Sequence, residues 1–226
     1  MYRYVWLITL LVLATIAIAM ADGLESGISV DGQAEVKVAP NLAVISFGVS
    51  TTDANAESAA AVNAKTTSAV IAALTAFGVA KSDIETSSYS VSSLIDYKGS
   101  SPKTIGYTVS NRVRVKLRDL AKTGALIDTG MKAGANEVSG VSFTIENEDS
   151  VRQRALIEAT KNAEAKARAV ADALGVKLGK VALFTEGGGV MPRPVDFAMA
   201  KSDVATPILP GEVGVTAKVR IVYSIL

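Results

Sequence analysis

The sequence predicts an α+β fold, mixed sheets packed by helices, and three observations carry that prediction. Several stretches alternate apolar and polar residues with period two, as half-buried strands do. Two long stretches instead place apolar and small residues at helical spacing, and each stops at the same dipeptide, Gly78-Val79 and Gly175-Val176. Finally, residues 42–117 and 138–226 share one order: strand, long helix ending in Gly-Val, strand, loop, strand. Local strings echo as well, as in Ile45-Ser46-Phe47 and Val141-Ser142-Phe143. This reads as an internal duplication of a βαββ unit, with subdomains 42–117 and 138–226 joined by a helix over 119–134.

Each element has its own justification. Residues 28–39 alternate, with Gly32 interrupting, and Pro40-Asn41 turns the chain into residues 42–52, where Ala43, Ile45, Phe47 and Val49 share a face; the pair reads as a hairpin. Asp53 or Asn55 is placed to cap a helix to Phe77, with Ala59, Val62, Thr66, Ala69, Val70, Ala73 and Phe77 on one stripe. Residues 84–97 and 104–117 read as strands joined by the turn-rich Lys98-Gly99-Ser100-Ser101-Pro102. In the second, Tyr107, Val109, Val113, Val115 and Leu117 project one way with Asn111 among them. Thr108, Ser110, Arg112, Arg114, Lys116 and Arg118 project the other way. Asp119 is the expected N-cap of a short helix with Leu120, Gly124, Ile127 and Met131 along one side, ended by a left-handed Gly134. A strand over 138–145 leads to Asp149 or Ser150, the expected cap of a long helix burying Val151, Ala155, Ala159, Ala163, Val170 and Leu174. Residues 180–185 make a short strand, 186–206 a Gly- and Pro-rich loop, and 212–226 a long alternating strand.

The chain has 226 residues, 49% hydrophobic and 20% charged, enough for one large or two small domains with a real core. Residues 5–20 are apolar, follow Arg3, and end in Ala19-Met20-Ala21 before Asp22, which fits the small-x-small rule of signal-peptide cleavage. Residues 1–21 are therefore expected to be removed, leaving Asp22 as the terminus and 22–27 as a short linker; an uncleaved signal anchor through 5–20 is the alternative. Without Arg3 the basic residues number 22, equal to the acidic ones. A neutral chain whose single tryptophan, Trp6, lies in the leader lacks both the charge and the stacking platforms of a nucleic-acid binder. No cysteine is present, so no disulfide framework or lipidated cysteine is available. The expected address is exported, periplasmic or at the cell surface.

Chemistry is constrained by what the chain lacks. Without histidine the commonest general base and transition-metal ligand are gone, and without cysteine so are thiolate nucleophiles and cysteine zinc sites. What remains is a Ser-Lys pair or two carboxylates, and no local spacing singles either out, so no catalytic, cofactor-binding or metal residue is assigned and no cofactor is expected. Glu146, Glu148 and Asp149 carry oxygen ligands suited to a hard cation, yet their place at the positive end of the long helix accounts for them without one. Gly175-Val176-Lys177-Leu178-Gly179-Lys180 has three residues between its glycines where a phosphate loop has four, and Val181 where that loop needs Ser or Thr, so it reads as a helix stop. The basic ladder Arg112, Arg114, Lys116 and Arg118, echoed by Lys218 and Arg220, offers a surface to anionic lipid or polyanions; more simply, it is a sheet face whose cations pair with acidic neighbours. Gly187-Gly188-Gly189 and Met191-Pro192-Arg193-Pro194 lie in a loop longer than the ~12 to 15 residues that mark function or flexibility, and triple glycine favours flexibility.

The strings Gly106-Tyr107-Thr108-Val109-Ser110-Asn111, Arg118-Asp119-Leu120, Leu126-Ile127-Asp128 and Gly134-Ala135-Asn136, followed by Val138, Gly140, Val141 and Phe143, resemble the SIMPL domain family, which includes YggE-like and periplasmic immunogenic proteins. The likeness runs from Gly32, Ala34, Val36, Val38 and Pro40 to Pro210-Gly211-Glu212, nearly all of the chain after residue 27; Asn41 departs from it, standing where many relatives carry Asp. The resemblance brings no established catalytic residue. It implies an exported, non-enzymatic cell-envelope protein acting through homo-oligomeric assembly or binding, since relatives are linked to oxidative-stress protection and to a ring-like or channel-like oligomer. The residues themselves leave open a secreted enzyme or ligand-binding protein whose Ser-Lys or carboxylate site forms only in the fold. The expected partners are a second copy of the chain and the membrane surface, with no nucleic acid. Few prolines or inward charges blunt residues 104–117 and 212–226 as strand edges, so a ring or dimer-based assembly is expected, with the 186–206 loop near a subunit contact and basic strand faces meeting the acidic helix of Glu158 and Glu164.

Overall fold

The computed structural model describes residues 27–99, 101–187 and 210–226, together with the backbone of 193–195. The expected leader, its cleavage site and most of the 186–206 loop lie outside the described residues. The elements are β1 (Gly27–Val38), β2 (Leu42–Asp53), α1 (Ala56–Phe77), β3 (Ile84–Asp96), β4 (Lys103–Leu117), α2 (Thr123–Lys132), β5 (Glu137–Thr144), α3 (Asp149–Leu174), β6 (Leu178–Glu186), β7 (Arg193–Val195) and β8 (Glu212–Ile225). This is the α+β architecture that the alternating and helical periods predict. The predicted loop 186–206 contains one short strand, β7, paired with the start of β8.

The described residues form two compact units: a larger one of 37–149 with 193–195 and 210–215, and a smaller one of 27–36, 150–187 and 216–226. In the larger unit the sheet order is β3-β4-β2-β5, and every neighbour is antiparallel. β2 places Ala43, Ile45 and Phe47 opposite Leu117, Val115 and Val113 of β4, and this apolar face meets Val70 and Leu74 of α1 and Leu126 and Ile127 of α2. Each of the Val, Leu, Ile and Phe side chains contributes about 1.5–3 kcal/mol on full burial, so this layer is the main source of the unit's stability.

β1 and β2 are not the hairpin expected from their sequence. β1 lies beside β8 in one sheet and β2 between β4 and β5 in the other. Alternation sets which side of a strand is buried and says nothing of its partner. Asn41 serves this crossing: its backbone N–H donates to Thr144 O at 3.1 Å, and its Oδ1 accepts from the Glu146 amide at 2.8 Å. An aspartate would accept that amide equally, so the departure from the relatives keeps the contact.

α1 begins as expected. Asn55 Oδ1 accepts from the amides of Glu57 and Ser58, Asp53 Oδ1 accepts from the Asn55 amide, and Gly78 ends the helix at φ +115°. Its buried row, however, is Ala59, Asn63, Thr67, Val70 and Leu74, one residue round from most of the expected stripe, and Val62 is 54% exposed. The polar pair wins because it is satisfied. Asn63 Nδ2 donates to Val49 O at 2.8 Å and to Val109 O at 3.0 Å, bridging β2 and β4, while Thr67 Oγ1 donates to Asn63 Oδ1 at 3.4 Å. By length and composition α1 is apolar enough to cross a membrane, but here that row packs on the sheet.

α2 turns Thr123, Leu126, Ile127 and Gly130 inward, while Met131, an expected core residue, is largely exposed. Gly130 leaves room for the Phe47 ring, which would have to shift to admit a Cβ there. Asp119 is not a side-chain cap; its carboxylate pairs with Lys122 at 2.9 Å. Gly134, at φ +115°, follows the helix as expected. Next to it Asn136 acts as an extra strand residue: its side chain accepts from the Ser50 amide at 2.9 Å and donates to Ser50 O at 2.7 Å.

In the smaller unit the sheet order is β1-β8-β6, and β8 buries Ala217, Val219, Ile221 and Tyr223 on one face. α3 buries Val151, Ala155, Ala159, Ala163, Ala167 and Ala171. Val170 and Leu174, expected in that face, are exposed, Leu174 by 67%. Near the middle of the helix the small residues answer to clearance. A Cβ on Gly32 of β1 would overlap Ala159 O and lie 2.7 Å from Ala163 Cβ, so helix and strand backbones almost touch and only alanine fits between them. At the start of α3 the side-chain bond comes from Asn147, whose Oδ1 accepts from the Asp149 amide at 3.1 Å, and not from Asp149 or Ser150. Gly175, at φ +69°, ends the helix.

Candidate functional site

The basic ladder on β4 stands on the face opposite the core, because Arg112, Arg114, Lys116 and Arg118 alternate with the buried valines. Three of its four members are spoken for. Arg112 pairs with Glu137 at 2.8 Å, Arg114 with Glu85 at 3.1 Å, and Arg118 is clamped between Asp83 at 2.6 Å and Glu146. Asp83 is the more enclosed partner, its side chain only 12% exposed. The hydrogen bonds that Arg118 donates to Glu146 and Asp83 raise its pKa, and the guanidinium in turn holds the Glu146 carboxyl below the usual range. In the smaller unit Arg220 holds Asp31 through two bonds of 2.8 and 3.2 Å, which lower the Asp31 pKa and raise that of Arg220. Thus the two ladders act mainly as intramolecular pairing surfaces.

The three acidic candidates for a cation do not converge. Glu146 faces Arg118, while Glu148 and Asp149 join Asn41, Glu146 and Asn147 around a wide, open cavity of about 670 Å³. Among the described residues no group of three acidic side chains is placed to hold a metal ion. The glycine string resolves into a helix stop at Gly175 and the start of β6, where Gly179 lies against Ser224 and the Lys180 amide donates to Ser224 Oγ at 3.0 Å. One cavity, of about 560 Å³ along α1, does hold a serine and a lysine, Ser68 and Lys81, but the Ser68 hydroxyl donates to Ala64 O at 2.8 Å.

What stands open is strand edge. β4 and β8, the expected edges, are interior strands with neighbours on both sides. Their clean alternation reflects full burial of one face in the middle of a sheet, where an edge strand alternates less strictly. Among the described strands the edges are instead β3 and β5 in one sheet and β1, β6 and the short β7 in the other. On β3, Tyr89 is 56% exposed, and Val91, Leu94 and Ile95 are exposed beside it; on β6, Val181, Leu183 and Phe184 are bare. Sequence reasoning passed over these residues, although the serine-rich run Ser87-Ser88-Tyr89-Ser90-Val91-Ser92-Ser93, too polar for an interior strand, was a signal.

Comparison with known proteins bears on this architecture as a whole. The chain is 28% identical over 210 residues to the 26 kDa periplasmic immunogenic protein of Brucella melitensis, covering 88% of this chain and 84% of that one. It is 29% identical over 190 residues to a protein of Escherichia coli K12 named "Uncharacterized protein YggE", covering 83% and 77%. The SIMPL family model, described as a protein of unknown function (DUF541), matches residues 28–223, from the second residue of β1 to Tyr223 in β8, and the chain therefore belongs to the SIMPL family.

Proposed function

We propose that the protein is an exported, non-enzymatic component of the cell envelope that works by assembling with copies of itself. The observation that carries this reading is β3, which among the described residues is an edge strand with no neighbour on one side, and which exposes Tyr89 and Val91 on one face and Leu94 and Ile95 near its end. The leader-like residues 1–21 and the periplasmic relative's name support the address. Protection against oxidative stress, which the family resemblance suggests, is exercised through assembly or binding, because the chain has no cysteine with which to run thiol redox chemistry.

Light scattering of the purified full chain is expected to give a mass above one chain at micromolar concentration. Val91→Lys, which places a charge on the exposed edge, is expected to lower it while the fold survives. Val115 and Val219, obvious choices from sequence, lie inside the cores, and a charge there reports on folding instead. A monomer at all accessible concentrations overturns the proposal. Labelling of Ser68 by a serine-directed reagent, blocked by Lys81→Met, would then favour the secreted enzyme.

A further inference from the structure

We infer that β3 pairs antiparallel with β3 of a second copy, in a two-fold contact centred on Ser90. This rests on the self-assembly reading above and names its interface.

Among the described edges β3 is the one fit to pair. β5 has only eight residues, turns through Gly140 at φ +81°, and meets β2 with a register shift. β6 carries two register shifts within nine residues. β1 turns Asp31, Glu35 and Lys37 outward, with Asp31 already held by Arg220. β3 contains no Pro, Lys or Arg, and its two acids, Glu85 and Asp96, lie at its ends. Against β4 it runs without a break from Ser88 to Leu94, between two register shifts. Such a strand lacks the usual devices that prevent edge pairing.

The side chains select the register. Centring on Ser90 sets each Tyr89 opposite the partner's Val91, twice by symmetry, and an aromatic facing a β-branched residue is a favourable cross-strand pair. Centring on Val91 instead sets Tyr89 opposite Ser93 and Ser88 opposite Leu94, which wastes both apolar groups. On the other face the sheet already carries rows of hydroxyls. Ser90, Ser110 and Ser50 lie side by side on β3, β4 and β2, as do Ser92, Thr108 and Thr52. Within them Thr52 and Thr108 are 3.0 Å apart, and Ser50 and Ser110 3.4 Å. Pairing at Ser90 continues the first row across the axis into the second copy, and the acids of both strands remain outside the paired stretch. Five residues a side cover less than the ~1,200–2,000 Å² of a standard interface, so the contact is one element of a larger assembly and is best read by position.

The absence of cysteine makes that reading clean. Full-chain Ser90→Cys, mildly oxidised, is expected to run largely as a covalent dimer that dithiothreitol reverses. Ser92→Cys alone is expected to crosslink at least tenfold less, because its two sulfurs lie four residues apart along the pair, beyond the ~7 Å Cα separation a disulfide can span. A mixture of Ser88→Cys and Ser92→Cys chains is expected to crosslink with each other. If Ser90→Cys fails to crosslink while light scattering still shows an oligomer, assembly stands and this contact is wrong; equal crosslinking by Ser92→Cys alone also overturns the register. If Ser90→Cys fails and the chain is monomeric, both readings fall.

Discussion

The two long helices solve one problem in opposite ways. Both lie on a sheet and both end at a left-handed glycine, Gly78 and Gly175. α1 buries a mixed row in which Val70 and Leu74 fill volume and Asn63 hydrogen-bonds two strands at once. α3 buries alanine at nearly every turn and has no buried polar side chain, because Gly32 lets its backbone rest on β1. The comparison teaches that distance decides composition. A helix held away from its sheet needs large side chains and has room for a bonded polar one, whereas a helix in backbone contact accepts only the smallest.

Three experiments sharpen or break that contrast, in falling order of effect. Gly32→Val is expected to be the most damaging, at or beyond the ~1–3 kcal/mol typical of overpacking, because its Cβ meets a helix carbonyl that cannot move independently. Gly130→Ala in the larger unit meets a ring, that of Phe47, and rings can turn, so urea unfolding should show a smaller loss. Equal losses would mean that backbone contact does not set the tolerance of α3. Next, Asn63→Leu keeps bulk in the α1 row but leaves Val49 O and Val109 O short of a donor, and a loss of about 1–3 kcal/mol is expected by the same measurement. A neutral result would make Asn63 a tolerated polar residue and not a pin.

The smallest effect is expected from pH. Glu146 and Asp31 both have depressed pKa values in the folded state, held down mainly by their hydrogen bonds to Arg118 and Arg220. Their contributions are therefore present above the ordinary carboxylate values of 4.5 and 3.8, and are lost as pH falls from there through the folded values. Arg118→Met and Arg220→Met should each flatten the acid limb of the melting temperature against pH. A limb unchanged in both variants would show that these exposed pairs contribute nothing measurable.

Much of this was legible from local chemistry. The caps at Asn55, Gly78, Gly134 and Gly175 and the alternation of β4 follow from rules that act within a few residues, and the structure keeps them. The buried rows were harder. Asn63 looks like a surface residue until the two strand carbonyls it bonds are known, Thr67 until its bond to Asn63 is known, and no local pattern shows that Ala159 and Ala163 meet Gly32 at backbone distance. Strand partners were illegible for a similar reason: β1 and β2 are adjacent in sequence and both alternate, yet they enter different sheets. At the candidate site the ladder was visible, but its acidic partners lie 25 to 35 residues away along the chain for Arg112 to Arg118, and no local pattern announces them.

The alanine row of α3 also bears on how far the helix holds its own shape. Alanine loses no rotamer freedom on burial and is the best intrinsic helix former, and both helices are rich in it, with eight among the 26 residues of α3 and nine among the 22 of α1; α3 differs in filling most of its other positions with Glu, Lys, Arg, Gln and Leu, which are also strong formers. α1, with Thr66, Thr67, Val70, Ile71 and Thr75 through its middle and end, has a weaker preference and depends on the sheet beneath it. α3 therefore leans less on β1 and β8 for its helical shape than α1 does on the strands beneath it.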